Sequence, residues 1–363
     1  MRDTIVRVWR GEAQTLRLIL YIPLLLLSAL YRLCLVVREC SYRKGLLRIE
    51  KARIPVISVG NITLGGTGKT PIVDIISRRL KEKGFNPGII TRGYMRKRQG
   101  TFHVDAGKDT AEEVGDEAMM LAKRSKVPVI VGTSRVRAIN KGIEMFNIDT
   151  AILDDGFQLR NIKKDMDILV LNGRQGAAAG CLFPLGPYRE PEERVGEADV
   201  ILVNKGEPGS RMQCHAGPIP TFRVAYKPAY LYDMRNDRFA HYNFIAGKRV
   251  LAFCGLGDNQ SFFDLLNDLG AEVVHAISYP DHHVYTERDI EKCASFRDVH
   301  CMVTTEKDAV KLVRMKLPEN LFYISIDVVI EEEERFLELI TDRISLCRNE
   351  SLQAAAIASV YRC

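Results

Sequence analysis

Residues 61–70 read N-I-T-L-G-G-T-G-K-T and contain the residue types that bind phosphate. In a phosphate-binding loop, glycines let backbone N–H groups approach the phosphate oxygens, a lysine neutralises charge, and a serine or threonine ligates magnesium. The N-terminus of the following helix adds its dipole. We therefore predict a nucleoside triphosphate site, with ATP as the ligand and Mg²⁺ as its counterion. The candidates for binding it are Gly65, Gly66, Thr67, Gly68, Lys69 and Thr70.

The loop departs from the usual G-x-x-x-x-G-K-S/T pattern at its first position, where Thr63 stands in place of glycine. Gly65 and Gly66 still permit a compact turn. The apolar run IPVISV just before the loop predicts a buried parallel strand. Apolar residues at helical spacing follow the loop, with Pro71 tolerated in the first turn. A strand, this loop and a helix in that order favour phosphate binding over a chance turn.

A triphosphate site also needs a carboxylate for magnesium, usually at the end of a neighbouring strand. Asp154 and Asp155 follow the apolar run Ala-Ile-Leu and precede Gly156. Successive strand residues face opposite sides, so both aspartates can serve only if the chain turns there, which Gly156 permits. Two alternatives stay open: either aspartate contacts the metal, or the pair forms a turn that bonds its own backbone.

Strand-like and helix-like segments alternate around these residues. This alternation predicts an α/β fold with a parallel sheet covered on both faces. At 221–247 the pattern changes, because two extended segments flank a polar turn and predict a two-stranded linker. A second α/β unit begins at Arg249. The apolar runs of the first part lie at 88–91, 127–131, 151–153, 167–171 and 199–203.

The N-terminal segment is the most apolar and the most basic part of the chain. Up to Arg53 it carries a net charge of +7, against −1 for all remaining residues, so a nucleic-acid-binding face on the body is not indicated. Residues 18–31 carry no charge, but these fourteen residues are short for a span of about twenty. Basic residues on both flanks remove the charge asymmetry that orients a spanning helix. We expect a helix within the cytoplasmic leaflet; a spanning helix and a buried core helix are the alternatives.

The cysteine pattern and the flanks of the apolar run bear on the compartment. Nine cysteines are scattered from Cys34 to Cys363 without a C-x-x-C pair, which is typical of reduced thiols in the cytosol. Basic residues, not a small-x-small cleavage site, follow the apolar run, so a signal peptide is not predicted. These features predict a protein on the cytoplasmic side of a membrane.

Eight motifs occur in a fixed order along the chain. They are GNITLGGTGKTP, TRGY, VGDEAMMLA, VGTSRVRA, LDDGFQ, FPLGPYREP, YPDHH and TTEKDAVKL. Together they resemble the tetraacyldisaccharide 4′-kinases, the lipid A 4′-kinases of Gram-negative envelopes, from the N-terminal helix to about Leu312. The resemblance implies a P-loop kinase-type parallel-sheet domain, joined by a two-stranded linker to a smaller α/β domain, after an N-terminal hydrophobic helix. It also implies transfer of the γ-phosphate of ATP to the 4′-hydroxyl of an acylated glucosamine disaccharide 1-phosphate.

The resemblance assigns roles around the phosphates. It implies that Lys69 and Thr70 hold the β/γ-phosphates and magnesium. Arg189 is placed beside the transferring phosphoryl group, although a surface ion pair with its neighbour is the alternative from the residues alone. The remaining members of the metal and phosphate network are Asp154, Asp155 and Glu190.

Asp116 matches the family's catalytic carboxylate, and His282 matches its histidine partner. A hydroxyl nucleophile needs an acceptor for its proton, and a carboxylate oriented by a histidine supplies one. We expect this pair to close only when the two domains approach. From the residues alone, Asp116 could instead cap a helix, and His282 could lie in a solvated loop before the capping box Thr286-x-x-Asp289. On the substrate side, guanidinium groups suit an anionic lipid phosphate, and the candidates are Arg92, Tyr94 and Arg135.

The expected organisation has five segments. A membrane-associating helix and basic flank occupy 1–48, the P-loop kinase domain 49–220, the two-stranded linker 221–247, the smaller α/β domain 248–348 and a tail 349–363. We expect a monomer at the cytoplasmic face of the Gram-negative inner membrane, with the lipid and the membrane surface as partners and no nucleic acid.

An alternative from another functional class is a membrane-associated P-loop switch ATPase that controls a protein partner. Those ATPases carry a lysine just before the two adjacent glycines of the loop. Leu64 occupies that position here, which favours the kinase. A soluble small-molecule kinase leaves the apolar, basic N-terminal segment unexplained.

Overall fold

The computed structural model describes residues 14–65, 68–173, 181–204, 206 and 217–360. The chain divides into two compact units, each built from separate stretches of sequence. The first unit contains Met1–Ile90, Ser134–Ala225 and Ile330–Cys363, and the second contains Thr91–Thr133 and Tyr226–Val329. This division differs from the contiguous domains that the sequence predicts. Apolar runs alternate in the same way in both units, so the pattern does not reveal which unit a strand joins.

Strands and helices alternate along most of the chain. The strands are β1 (Val56–Gly60), β2 (Pro87–Thr91), β3 (Phe102–His103), β4 (Val129–Val131), β5 (Thr150–Asp154), β6 (Met166–Asn172), β7 (Val200–Asn204), β8 (Thr221–Asp233), β9 (Arg238–Ala240), β10 (Arg249–Cys254), β11 (Glu272–Ser278), β12 (Cys301–Thr305) and β13 (Leu321–Ile330). The helices are α1 (Gln14–Arg43), α2 (Lys69–Glu82), α3 (Ala111–Val114), α4 (Asp116–Arg124), α5 (Arg135–Phe146), α6 (Gln260–Asp268), α7 (Glu287–Ser295), α8 (Glu306–Leu312) and α9 (Glu333–Val360).

The first unit contains a parallel sheet in the strand order β7-β6-β1-β5-β2. Every residue of β1, β2, β5 and β7 is buried. Continuous apolar strands of this kind occur where both faces of a parallel sheet are covered. The α/β fold with a mainly parallel sheet is therefore confirmed.

The second unit contains the parallel strands β11, β10, β12 and β13 in that order. The hairpin-like pair predicted at 221–247 corresponds to β8 and β9, which pair antiparallel at Leu231–Asp233. The short strands β3 and β4 also pair antiparallel. Helices α4 and α8 belong to this unit and carry the polar side chains described below.

Helix α1 has two different faces. Leu24, Ser28 and Leu35 are buried against the first unit. Within Leu20–Arg43, the apolar window of 18 residues has a mean hydropathy of 2.1 but is only 11% buried, so a core helix does not describe it. By length and composition this helix is able to cross a membrane, and it is a candidate for membrane association. The large exposed apolar side chains on it include Ile22, Leu26, Leu30, Leu33 and Val37.

The segment 349–363, predicted as a tail, is helical over most of its length, because α9 continues as far as Val360. Its first half buries Phe336, Ile340 and Ile344 at helical spacing in the first unit. After Asn349 the sequence is rich in alanine, which has the highest helix propensity but gives no amphipathic pattern. Helix propensity therefore favours the C-terminal part of α9, where the hydrophobic periodicity is weak. Residues 361–363 lie outside the described part.

Candidate active site

The phosphate-binding loop connects β1 to α2, as the motif requires. Gly65 and Gly68 have φ values of 106° and 77°, a region that glycine enters without steric cost. Gly68 is the N-cap of α2 and supplies no side chain that could occupy the first-turn N–H groups. A helix N-terminus of this kind favours an anionic ligand. Gly66 and Thr67 lie outside the described residues.

The structure explains why threonine is tolerated at the first position of the loop. Thr63 is 3% exposed and forms an antiparallel bridge with Tyr188. Next to it, the Leu64 N–H donates to the carbonyl of Pro187 at 2.7 Å. The chain is extended here rather than tightly turned, so glycine is not required. This pairing also fastens the loop to the segment that contains Arg189.

Lys69, the first residue of α2, points its ammonium group at two acceptors. Nζ lies 3.1 Å from Oδ1 of Asn61 and 3.4 Å from Oδ1 of Asp155. The Arg189 guanidinium approaches the same two side chains: NH1 donates to Oδ2 of Asp155 at 2.9 Å, and NH2 bonds Oδ1 of Asp155 and Oδ1 of Asn61. Two cations thus share one carboxylate, so an incoming phosphate would find positive charge already positioned.

Asp155 is held as a carboxylate by these cations. Burial acts to raise its pKa, but the charges of Lys69 and Arg189 outweigh burial and lower the pKa to about 2. Its φ of 55° is in the left-handed region, which short polar residues enter more easily than others. The chain therefore turns between Asp154 and Asp155, as the adjacent Gly156 allows.

Asp154 ends β5 and is 2% exposed. It lies beside Val59 of β1 in the sheet register, immediately before the phosphate-binding loop. Thr70 is the second residue of α2. Hydroxyl and carboxylate oxygens are the ligands that Mg²⁺ prefers, and Mg²⁺ usually needs only one or two protein carboxylates together with phosphate and water. Among the described residues, no three histidine, cysteine, aspartate or glutamate side chains come together as a metal-binding group.

Glu190 lies in a different environment from the aspartates. It is 1% exposed, and its Oε1 lies 2.8 Å from NH2 of Arg38 while its Oε2 lies 2.7 Å from NH1 of Arg194. Arg194 also pairs with Glu197 at 3.1 Å and places its guanidinium 4.8 Å from the centre of the Phe157 ring. Glu190 and Arg189 therefore have separate partners and do not form the alternative surface pair.

Asp116 and His282 are brought together within the second unit. His282 Nδ1 lies 3.1 Å from Oδ2 of Asp116, and both side chains are largely buried. Asp116 is the first residue of α4, whose N-cap is Gly115 without a side-chain hydrogen bond, so Asp116 is not the helix cap. The expectation that this pair forms only when two domains approach is wrong, because 91–133 and 226–329 belong to one unit.

The capping box after the histidines is present at the start of α7, with Thr286 and Asp289 bonded reciprocally. It engages the neighbouring histidine, since His283 Nε2 lies 3.3 Å from Oδ2 of Asp289. His282 itself has a φ of 62° and points away to Asp116. The two adjacent histidines therefore have different partners.

Of the substrate-side candidates, Tyr94 lies next to the pair. Its ring centre is 5.1 Å from that of His282, and 55% of the residue is exposed. Arg92 is exposed on the same segment. Arg135, by contrast, is 5% exposed at the start of α5 and belongs to the first unit. The structure thus brings Tyr94 to the Asp116–His282 pair, and Arg135 belongs to the other unit.

Three polar residues of these sites were missed by sequence reasoning. Asn61 joins Lys69 to Arg189 in the first unit. In the second, Lys307 Nζ lies 3.3 Å from His282 Nε2 and 2.8 Å from Oδ1 of Asp281. Lys311, one turn later on α8, lies 3.8 Å from Oδ2 of Asp116 and 2.7 Å from Oδ1 of Asp308. The i, i+4 spacing of the two lysines within TTEKDAVKL was the available signal, since it places both on one helix face.

An ammonium group that donates to His282 Nε2 requires a lone pair on that nitrogen. The hydrogen of the neutral ring is then on Nδ1, where it donates to Asp116. With Lys307 as the donor to Nε2, His282 therefore has Nδ1–H available for Asp116.

Known proteins share both the sequence and the fold. The model of the family described as LpxK, tetraacyldisaccharide-1-P 4′-kinase, matches residues 20–345. The chain belongs to this family. The resemblance predicted from the eight motifs is therefore confirmed.

Members of the tetraacyldisaccharide-1-P 4′-kinase family match over nearly their whole length. A protein named tetraacyldisaccharide 4′-kinase from Shewanella loihica is 36% identical over 345 residues, which cover 94% of this chain and 98% of that protein. One from Syntrophus aciditrophicus is 35% identical over 341 residues, or 87% and 91%. The crystal structure of LpxK from Aquifex aeolicus in complex with ATP superposes with a TM-score of 0.74 at 32% identity, and covers 91% of this chain and 99% of that one.

Proposed function

We propose that this chain transfers the γ-phosphate of ATP to the 4′-hydroxyl of a tetraacyldisaccharide 1-phosphate, the step of lipid A synthesis for which its family is named. The family match over residues 20–345 carries the proposal, because it spans both the phosphate-binding loop and the Asp116–His282 pair. The fold and the length of the curated relatives agree with it.

Lys69 and Arg189 bind the β- and γ-phosphates in this proposal. In the structure both cations are directed at Asp155. A triphosphate gives each cation a further anionic partner, while Asn61 keeps the two side chains in place. Because phosphoryl transfer needs little covalent help from the protein, positioning and charge stabilisation supply most of the catalysis. The backbone N–H groups at Gly68 and the start of α2 complete the phosphate site.

Magnesium is expected to be held by Thr70 together with Asp154 or Asp155. When bound, the ion neutralises charge on the β- and γ-phosphate oxygens. Both oxygens of Glu190 are already engaged, one by Arg38 and the other by Arg194. We assign it an indirect role for that reason.

Asp116 accepts the proton of the 4′-hydroxyl. The hydroxyl oxygen forms a bond to the γ-phosphorus, the bond from that phosphorus to the β–γ bridging oxygen breaks, and ADP leaves. His282 orients the carboxylate through Nδ1–H, with Lys307 bonded to its other nitrogen. A positioned base of this kind contributes about 10²- to 10⁴-fold to the rate.

The lipid acceptor suggests where the protein works. The exposed apolar face of α1 and the basic flank are suited to an anionic leaflet. We propose that the chain acts as a monomer at the cytoplasmic face of the Gram-negative inner membrane, without nucleic acid. The proposed contacts of the lipid headgroup are Tyr94 beside the catalytic pair, Arg92 two residues earlier on the same segment, and Arg135.

The test is an assay with γ-labelled ATP, Mg²⁺ and a synthetic tetraacyldisaccharide 1-phosphate in detergent micelles, resolved by thin-layer chromatography. We expect label in the lipid, and none when the acceptor lacks its 4′-hydroxyl. Release of free phosphate without labelled lipid, from protein that binds ATP, would contradict the kinase and favour a switch ATPase.

A further inference from the structure

Helix α1 contacts the segment that contains Arg189 as well as exposing an apolar face. The Tyr31 hydroxyl donates to the carbonyl oxygen of Arg189 at 2.9 Å. One turn before, the Ser28 hydroxyl donates to the carbonyl of Leu182 at 3.0 Å. Two turns after, Arg38 pairs with Glu190 at 2.8 Å. The spacing 28, 31, 35, 38 is that of a single helical face, so these contacts form together.

The contacts lie in a packed region. Leu35 is 8% exposed and belongs to the same core cluster as Ile62, Phe157 and Tyr188, against which Tyr31 also packs. The Tyr31 ring lies 6.1 Å from the Phe183 ring in an edge-on arrangement. The pKa of the Tyr31 hydroxyl is raised, mainly by burial, so this group is a neutral hydrogen-bond donor at physiological pH. The bond to Arg189 is thus part of an ordered interface and is not a surface contact.

The backbone at Arg189 is fixed from both sides. Its N–H donates to the carbonyl of Ile62, at the start of the phosphate-binding loop, at 2.9 Å. Its own carbonyl accepts from Tyr31. The next side chain, Glu190, is held by Arg38. With its backbone held in this way, the Arg189 guanidinium is directed at Asp155 and Asn61.

We propose that α1 is a positioning element of the active site, in which Tyr31 and Arg38 hold Arg189 in the orientation that phosphoryl transfer needs. The inference rests on the proposed function, because Arg189 is assigned there to the transferring phosphate. Opposite faces of one helix then have two separable tasks. The exposed face, with Leu26, Leu30 and Leu33, meets the lipid, and the docked face sets the turnover rate.

The test compares Tyr31→Phe and Arg38→Met with the control Arg32→Met in the full chain. Phenylalanine keeps the ring packing and removes only the hydroxyl. Arg32 lies on the same helix, but its pair with Glu193 at 3.5 Å is exposed on both sides. Kinase activity is measured in detergent micelles with saturating lipid, and binding to anionic phospholipid vesicles is measured by flotation.

We expect Tyr31→Phe to lower kcat about 3- to 10-fold, the range that one neutral hydrogen bond spans. Arg38→Met should lower kcat about 10- to 100-fold, because it removes a charge-assisted bond, and Arg38→Lys should restore part of this loss. The KM for ATP should change less than threefold. Vesicle binding should be unchanged in Tyr31→Phe and equal in Arg38→Met and Arg32→Met, because these two variants lose the same single charge from the basic N-terminal segment. The kcat of Arg32→Met should match that of the wild type.

A double-mutant cycle separates positioning from general destabilisation. If Tyr31 acts through Arg189, Tyr31→Phe should lower kcat less than twofold in an Arg189→Lys background. An equal loss in both backgrounds would overturn the proposal. So would unchanged kcat in Tyr31→Phe and Arg38→Met, or weaker binding of Tyr31→Phe to the vesicles. A wild-type chain that labels no lipid would instead contradict the proposed function.

Discussion

Replacing Glu190 by glutamine tests whether this buried carboxylate is the centre of an ion-pair network. Its two oxygens lie 2.8 and 2.7 Å from the guanidinium groups of Arg38 and Arg194. Burial by itself lowers the pKa of Arg194, but Glu190 and then Glu197 raise it above its usual value, as expected of a strongly stabilised cation. Glutamine keeps the shape of the side chain and removes the charge from both pairs.

The structure sets the size of the effect. Removing one partner of a buried pair costs about 3–5 kcal/mol. Arg194 keeps Glu197 at 3.1 Å, and Arg38 is 35% exposed and can be hydrated, so we expect a loss of about 2–3 kcal/mol. In a unit of this size each kcal/mol lowers the melting temperature by about 2–4 °C, which predicts a decrease of about 4–12 °C. The control is Glu193→Gln, whose pair with Arg32 is exposed on both sides and contributes at most about 1 kcal/mol.

The assay is scanning calorimetry of both variants in the same detergent, followed by titration of kinase activity with Mg²⁺. We expect Glu190→Gln to melt earlier than Glu193→Gln, while the Mg²⁺ concentration for half-maximal activity changes less than about twofold, since both oxygens are already engaged. A melting temperature equal to that of the wild type, together with a large increase in the Mg²⁺ requirement, would refute the reasoning. Glu190 would then be a direct metal ligand.

Three further predictions concern the two sites and the strand before the loop. Asp116→Asn and His282→Ala should lower turnover about 10²- to 10⁴-fold with ATP binding retained, measured by single-turnover lipid labelling and nucleotide titration; unaltered turnover would remove both from the mechanism. Because the pKa of Asp155 is about 2 when folded and about 3.9 for an unfolded aspartate, its stabilising contribution is present above pH 4 and is lost as the pH falls to about 2. The difference in melting temperature between the wild type and Asp155→Asn should therefore be constant from pH 8 to 5 and shrink below pH 4, and a difference that varied near neutral pH would contradict this assignment. Gly60→Ala would place a Cβ 2.5 Å from Cβ and 2.6 Å from N of Phe157, so it should destabilise the chain by about 1–3 kcal/mol or more. The control Gly107→Ala should not destabilise it, because the nearest atom to the added Cβ is 3.4 Å away. Equal melting temperatures of the two variants would show that β1 can shift.

The local elements could be predicted because each depends on a short stretch of sequence. IPVISV, the glycines and the helix after Pro71 predict the strand, loop and helix that the structure contains from Val56 to Glu82. Runs of apolar residues also predict β5, β6 and β7 within one or two residues of their ends. Strands that are buried on both faces of a sheet need apolar residues throughout, so their positions can be recognised in the sequence.

Contacts between segments that are far apart in the sequence cannot be recognised from local patterns. Tyr31 and Arg189 are 158 positions apart, and Arg38 and Glu190 are 152 apart, so no local periodicity relates them. Asn61 and Lys307 are ordinary polar residues until their partners are known. The family resemblance named Asp116 and His282, but it did not reveal that 91–133 joins the second unit, and so the pair was expected to need a closure that the structure does not require.

The three-part composition of the first unit has a consequence for how the protein is made. The core of that unit includes Phe336, Leu337, Ile340 and Ile344 from α9, and the ring of Phe336 lies 5.5 Å from that of Phe222. These side chains leave the ribosome only after the whole second unit has been synthesised. A nascent chain that already contains the phosphate-binding loop therefore exposes, for much of its translation, the apolar surface that α9 later covers. It also exposes the apolar residues of α1. Such intermediates aggregate readily, which makes early delivery to the bilayer or protection by chaperones an expected requirement for obtaining active protein.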